Sequence, residues 1–351
     1  MYMAQTIVIA TLAAGFMLLP ATVRAEEPLI PKDMAYIAHG ASMMGLDKEE
    51  SVRSDKKITA YSQRMKTWSA EALNDESPAH MVFLDSYLMD RYEVSNKDYG
   101  EFVTAKGHPA PAYWDDPRLN KAQQPVVGVN WEEAKAFCEY RGKRLPTEAE
   151  WEKAARGAQA NLYPWGNDFD PAKANYGKNH EAIMPVDSYP EGASYYGLYN
   201  IAGNVFEWVS DWYDPRYYGK LETMVNPTGP EKPIWIAGTG TYVDRLALGG
   251  KRVIRGGSWI APEGAIRTTH RFWNNPLNNS YGLGLGFRCA KTAPSEIDER
   301  IKDASIVAYV EMGRERFVEA QQAVSRGLAI DPKNIELLEL RSLIEQSMKW
   351  P

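Results

Sequence analysis

From Gly157 to Ala290 helical signals fade, and Gly, Pro, Asn and Asp punctuate every short apolar run. Strands there must be short and loops long. In a compact domain such loops are functional or are held by something other than regular structure, such as a metal ion or a disulfide. Residues 195 to 213, YYGLYNIAGNVFEWVSDWY, show where one tie could sit. Gly203 frees the backbone to turn sharply among aromatic side chains. Asn200 and Glu207 bring side-chain oxygens to either end, and a loop winding between them can add main-chain carbonyls, which is how a hard cation such as Ca²⁺ is caged. The competing reading is an aromatic core turn whose Asn caps its own backbone. Trp208 and Trp212, four apart, share a side if the segment coils.

The preceding region has strong helix starts. Ser95 with Asp98, Asn130 with Glu133 and Thr147 with Glu150 are capping-box arrangements. Tyr99, Phe102 and Val103 share a face of the first helix; Trp131, Ala134, Phe137 and Cys138 share one of the second, which Gly142 closes. MAYIAHGASMMG (34–45) reads as strand and turn, and His80 to Tyr92 has β-type alternation. Residues 46 to 79 between them read as a charged surface insertion. The class is therefore α+β. From residue 296 the chain turns helical: Ala304, Ala308 and Tyr309, then Ala320, Ala323, Leu328 and Ala329, then Ile335, Leu338, Leu340 and Ile344 after the break at Asp331 and Pro332. This tail is similar to one tetratricopeptide repeat with a capping helix, which cannot bury its own face and must pack on the main domain or on a partner.

Composition narrows the function. A net charge of −6 and a pI near 5.6 argue against nucleic acid as the main partner. Eleven Trp and twenty Tyr point to a core or cleft of aromatic plates. Residues 1–25 read as a signal peptide, with an apolar stretch from Ile7 to Leu19 and a small-residue cleavage site before Glu26, so the protein is expected to be periplasmic or secreted. No Lys or Arg precedes the apolar stretch, which leaves an uncleaved N-terminal anchor as the alternative. Two cysteines, Cys138 and Cys289, allow one disulfide in an exported protein; two free buried thiols are the other reading. The five histidines, at 39, 80, 108, 180 and 270, have no metal-type spacing.

Several segments in order resemble the formylglycine-generating-enzyme, or sulfatase-modifying-factor, superfamily: MAYIAHGASMMG (34–45), DRYEVSNKDYGEFV (90–103), PVVGVNWEEAKAFCEYRGKRLPTEAEWEKAARG (125–157), YPWGN (163–167), GLYNIAGNVFEW (197–208), RVIRGGSW (252–259) and GLGFRCA (284–290). The resemblance implies a C-type-lectin-like fold with little regular secondary structure over 26–292, followed by the helical tail at 293–351. It implies a structural disulfide between Cys138 and Cys289. It implies a calcium site at Asn200, Gly203, Val205 and Glu207, and a second site at Asn175 and Tyr176 whose remaining Asp is not visible.

The same resemblance exposes a departure. Oxygen-dependent members use two cysteines that bind Cu(I) soon after the GGS[YW] segment. Here residues 256–276, GGSWIAPEGAIRTTHRFWNNP, contain no Cys: Ala261 stands at the first position, Glu263 near the second, and Gly284 replaces an Asn. Copper is therefore not expected. The histidine-rich helical domain of the iron-dependent sulfoxide synthases is missing too. The family's cleft would place Ser258, Trp259, Arg267 and Arg271 around a ligand, with Glu263 and His270 as candidate acid–base residues. Three functions follow as expectations: a maturation or accessory factor, as are the periplasmic members tied to pyoverdine maturation and nitrite-reductase assembly; an oxidoreductase with an unidentified cofactor or Glu263/His270 chemistry; and a lectin-like binding module. The expected partners are a small molecule or peptide in the cleft, and a protein met by the tail or by residues 233–250, which lengthen a connection relative to the family pattern.

Overall fold

The computed structural model describes residues 29–46, 75–220, 225–233, 249–277 and 282–348. The expected signal peptide, most of the charged insertion and most of the 233–250 segment lie outside these residues.

Three small sheets and six helices make up the described chain. Strands β1 (Met34–Ile37) and β2 (Gly40–Met44) divide the first motif, and β3 (His80–Leu84) and β4 (Tyr87–Asp90) divide the next. β2 pairs antiparallel with β3, setting Ala41 opposite Phe83 and Met43 opposite Met81. β1 pairs antiparallel with β4, and β4 with β9 (Ala290–Thr292). The third sheet runs β7 (Phe272–Asn274), β6 (Arg252–Arg255), β5 (Phe206–Trp212), β8 (Leu285–Gly286), with only the β5–β8 pairing parallel. Residues 206–212 do not coil: they are a strand. Trp208 and Trp212 are four residues apart along it, across a register shift that interrupts the alternation.

The three helix starts form as their caps require. In α1 (Asn96–Lys106) the Ser95 hydroxyl accepts from the Asp98 amide. In α2 (Trp131–Tyr140) and α3 (Glu148–Arg156) both halves of the capping box are present. Between Arg156 and Phe206 only two short 3-10 turns occur, at 171–173 and 190–192. Cys138 on α2 and Cys289 before β9 form the disulfide, Cα atoms 5.6 Å apart, and tie the second helix to the chain end of the domain. Around it Tyr99, Phe102, Phe137 and Phe287 pack ring to ring.

The tail is α4 (Ser295–Gly313), α5 (Phe317–Ile330) and α6 (Ile335–Ser347). It packs on the main domain: Ile297, Ile301, Ala304 and Ala308 share one apolar cluster with Met34, Tyr36 and Leu88. Hydroxyls of Tyr36 and Ser86 both donate to Asp298. The buried stripe of α6 is Leu337, Leu340 and Ile344; Tyr309, Ala329 and Ile335 are exposed. Gly327 lets α5 approach closely, since a Cβ there would lie 2.4 Å from Leu337 and 2.9 Å from Ala304.

Candidate functional site

The segment after β6, residues 256–271, runs without regular structure except a 3-10 turn at Glu263–Ile266, and it is held by charge. α3 supplies the acids. Glu148 accepts two bonds from Arg271, at 2.8 and 2.9 Å, and one from Arg255 at 3.3 Å. Glu152 takes Arg255 at 2.5 Å and Arg156 at 3.3 Å. Glu76, from the end of the insertion, grips Arg267 through two 2.7 Å bonds and accepts from the Thr269 hydroxyl. Burial works against ionisation of Glu76 and Glu148, but the guanidiniums of Arg267, and of Arg271 and Arg255, outweigh it and hold both carboxyls below their usual range. Asp75 has only the Tyr213 hydroxyl on one oxygen, and burial pushes it up to about 7.

This corrects the expected ligand cleft. Arg267 and Arg271 are 3% and 2% exposed and spent on ion pairs. Ser258 and Trp259 are buried as well; the Trp259 indole donates to the Leu283 carbonyl at 2.7 Å, and a side chain at Gly284 would press on Ser258. His270 is not poised as an acid or base near neutral pH. Burial pulls the His270 imidazole down to about 4, with Arg267 and Arg255 adding to that and Glu76 opposing it, so the ring is neutral, and its Nδ1 has no hydrogen-bond partner among the described residues. Glu263 faces other groups: burial, then its charge, pushes the Tyr163 phenol up to about 12 and raises Tyr176. Around those tyrosines Trp165 stacks on Tyr163 at 5.3 Å, and Phe169 meets Tyr176 edge-on at 5.3 Å. What the region offers a ligand is therefore a half-buried aromatic shelf beside a carboxylate, suited to flat, apolar or cationic groups.

Of the expected calcium donors, Glu207 is already committed. Arg288 binds both its oxygens, at 2.6 and 2.7 Å, and the Trp151 indole adds a bond at 2.8 Å. Asn200 turns its amide to Glu93, Pro185 and Val186. Gly203 has φ +85°, and a Cβ there would lie 2.4 Å from the Asn175 carbonyl oxygen, so the turn needs glycine. Val205 is fully buried at the entrance to β5. A cation here would have to displace a guanidinium from its carboxylate, so the set as arranged does not fit calcium. At the second expected site, Asn175 Oδ1 is buried without a hydrogen-bond partner among the described residues, and half-buried Tyr176 closes the aromatic row. Sequence reasoning missed Glu76, Glu148 and Glu152: nothing in a charged insertion or a polar helix start marks a carboxylate for burial.

Residues 21–293 match the family described as "Sulfatase-modifying factor enzyme 1-like domain". The formylglycine-generating enzyme of Mus musculus is 31% identical over 332 residues, covering 77% of this chain and 78% of its own. The serine/threonine-protein kinase pkn1 of Chlamydia caviae is 36% identical over 244 residues, but the chain spans only 36% of that protein's length, about a third. Among solved structures, PvdO from Pseudomonas aeruginosa shares the fold with a TM-score of 0.56 at 23% identity, covering 75% of this chain and 96% of PvdO. The order of segments, the disulfide and the family match agree: this chain belongs to the sulfatase-modifying factor enzyme 1-like family.

Proposed function

We propose that the chain uses this scaffold to bind rather than to oxidise cysteine, acting as an exported maturation or accessory factor for a peptide or small molecule. One observation supports this reading above the others. The sequence has two cysteines, and they are bonded to each other, so no thiolate remains for copper. At the position expected for the first copper ligand, Ala261 is a 7% exposed methyl within the apolar core. The aromatic shelf of Trp165, Phe169 and Tyr176 is the surface that would hold the ligand, and the helical tail the surface that would meet a partner protein.

The test is direct. Purified protein incubated with copper, oxygen and a CxPxR peptide should yield no aldehyde that a hydroxylamine probe captures. Aldehyde formation would end the binding reading. Calcium stays outside it: chelation should leave the melting temperature unchanged, and a clear fall would show that the Glu207–Arg288 pair yields to the ion.

A further inference from the structure

A cleft of about 1210 Å³ opens between the tail and the main domain, bounded by α4, the start of α6, the β1–β2 turn and the end of α3. It lies apart from the segment at 256–271. Two of its lining groups have unused hydrogen-bonding capacity among the described residues. Lys153 on α3 is 5% exposed, and its ammonium donates to the carbonyls of Ala38 at 2.6 Å and Gly40 at 3.3 Å. An ammonium has three donors. Among the described residues the third has no acceptor and no carboxylate pairs with the charge. Burial alone pulls this lysine down to about 8. Ser305 on α4 is 4% exposed, and its hydroxyl has no partner among the described residues. A buried cation without a counter-charge and a buried hydroxyl without a bond each cost stability unless something fills them.

The rest of the lining narrows the ligand. Tyr36, Tyr195, Tyr196 and Tyr309 give the lining an aromatic character, and Met43 and Ile306, also in the lining, remain 37% and 49% exposed. Asp298, Asp331 and Glu336 also line the cleft and disfavour a dianion. We propose that this cleft binds a monocarboxylate with an apolar or aromatic body, Lys153 and Ser305 supplying its polar contacts and the tyrosines its apolar ones. A free small acid and a peptide C-terminus share this chemistry.

The experiment uses the full chain and four probes: phenylacetate, its primary amide, and one short peptide ending in Phe with a free or an amidated C-terminus. Calorimetric titration should show binding of a carboxylate form and at least about tenfold weaker binding of its amide. Binding by phenylacetate assigns the site to a small acid, and binding by the free-terminus peptide alone assigns it to a chain end. Lys153→Met should weaken binding about tenfold or more. Ser305→Phe, which replaces the hydroxyl by a ring and leaves the ammonium in place, should weaken binding about tenfold or more. Equal affinity for acid and amide, no binding by either carboxylate, or wild-type affinity in both variants would overturn the proposal. A failure here leaves the copper test above untouched.

Discussion

The segment 256–271 and the tail solve the same problem with opposite chemistry. The segment has almost no regular structure to satisfy its backbone, and buried ion pairs from α3 and Glu76 hold it. The tail has three helices that satisfy their own backbones, and small apolar residues such as Ala304, Ala308, Ala320 and Ala323 are enough to close it. Among the described residues the arginines of its ion pairs sit at the surface; Arg300 and Glu296 are 51% and 53% exposed on the side chain. Charge is buried where loops need many directional bonds at once, since a guanidinium offers five donors in a fixed fork. It stays outside where a helix already supplies the bonds.

The largest break should come from the covalent tie. Replacing Cys138 and Cys289 by alanine opens a loop of sequence separation 151, at about 4 to 5 kcal/mol on the chain-entropy model. A urea midpoint measures the loss, and hydrogen exchange should place it in the main domain, with tail amides still protected. Glu148→Gln comes next. It leaves Arg271 and part of Arg255 buried without a full counter-charge, at about 3 to 5 kcal/mol.

The same variant sharpens the comparison through pH. Glu76 and Glu148 have folded-state values below 4.5, so the stability they contribute is whole above 4.5 and is lost as pH falls through their depressed values. Asp75 and Asp211 run the other way: burial raises both to about 7, so the stability they add is whole below about 3.8 and is lost as pH rises through 7. Below about 3.8 only the first effect changes, and wild-type stability should fall more steeply there than that of Glu148→Gln. Parallel urea midpoints between pH 4 and pH 2.5 would contradict the charge account.

In the tail the expected effects shrink. Gly327→Ala drives a methyl against Leu337 and Ala304, costing about 1 to 3 kcal/mol, with up to about 1 kcal/mol returned by helix propensity. Arg300→Ala removes an exposed pair one helical turn long and should change stability by no more than about 0.5 kcal/mol. A larger loss would mean that the tail, too, depends on charge.

Local chemistry was legible wherever it was self-contained. The caps at Ser95, Asn130 and Thr147 lie within three residues of what they bind, so the sequence alone placed all three helix starts. The family and its fold could be read because ordered motifs survive along the chain, and the absence of a second thiol pair needed only a count. What depended on distant partners was not legible. Arg267 and Arg271 looked like cleft cations, and Glu76 like part of a solvated insertion, because the residues that neutralise them lie 191 and 123 positions away along the chain. Glu207 looked like a calcium ligand until Arg288, 81 residues on, was folded against it. Only the tertiary structure decides which buried carboxylate meets a guanidinium, since a charge can leave water only when its partner arrives from elsewhere in the chain at the same moment.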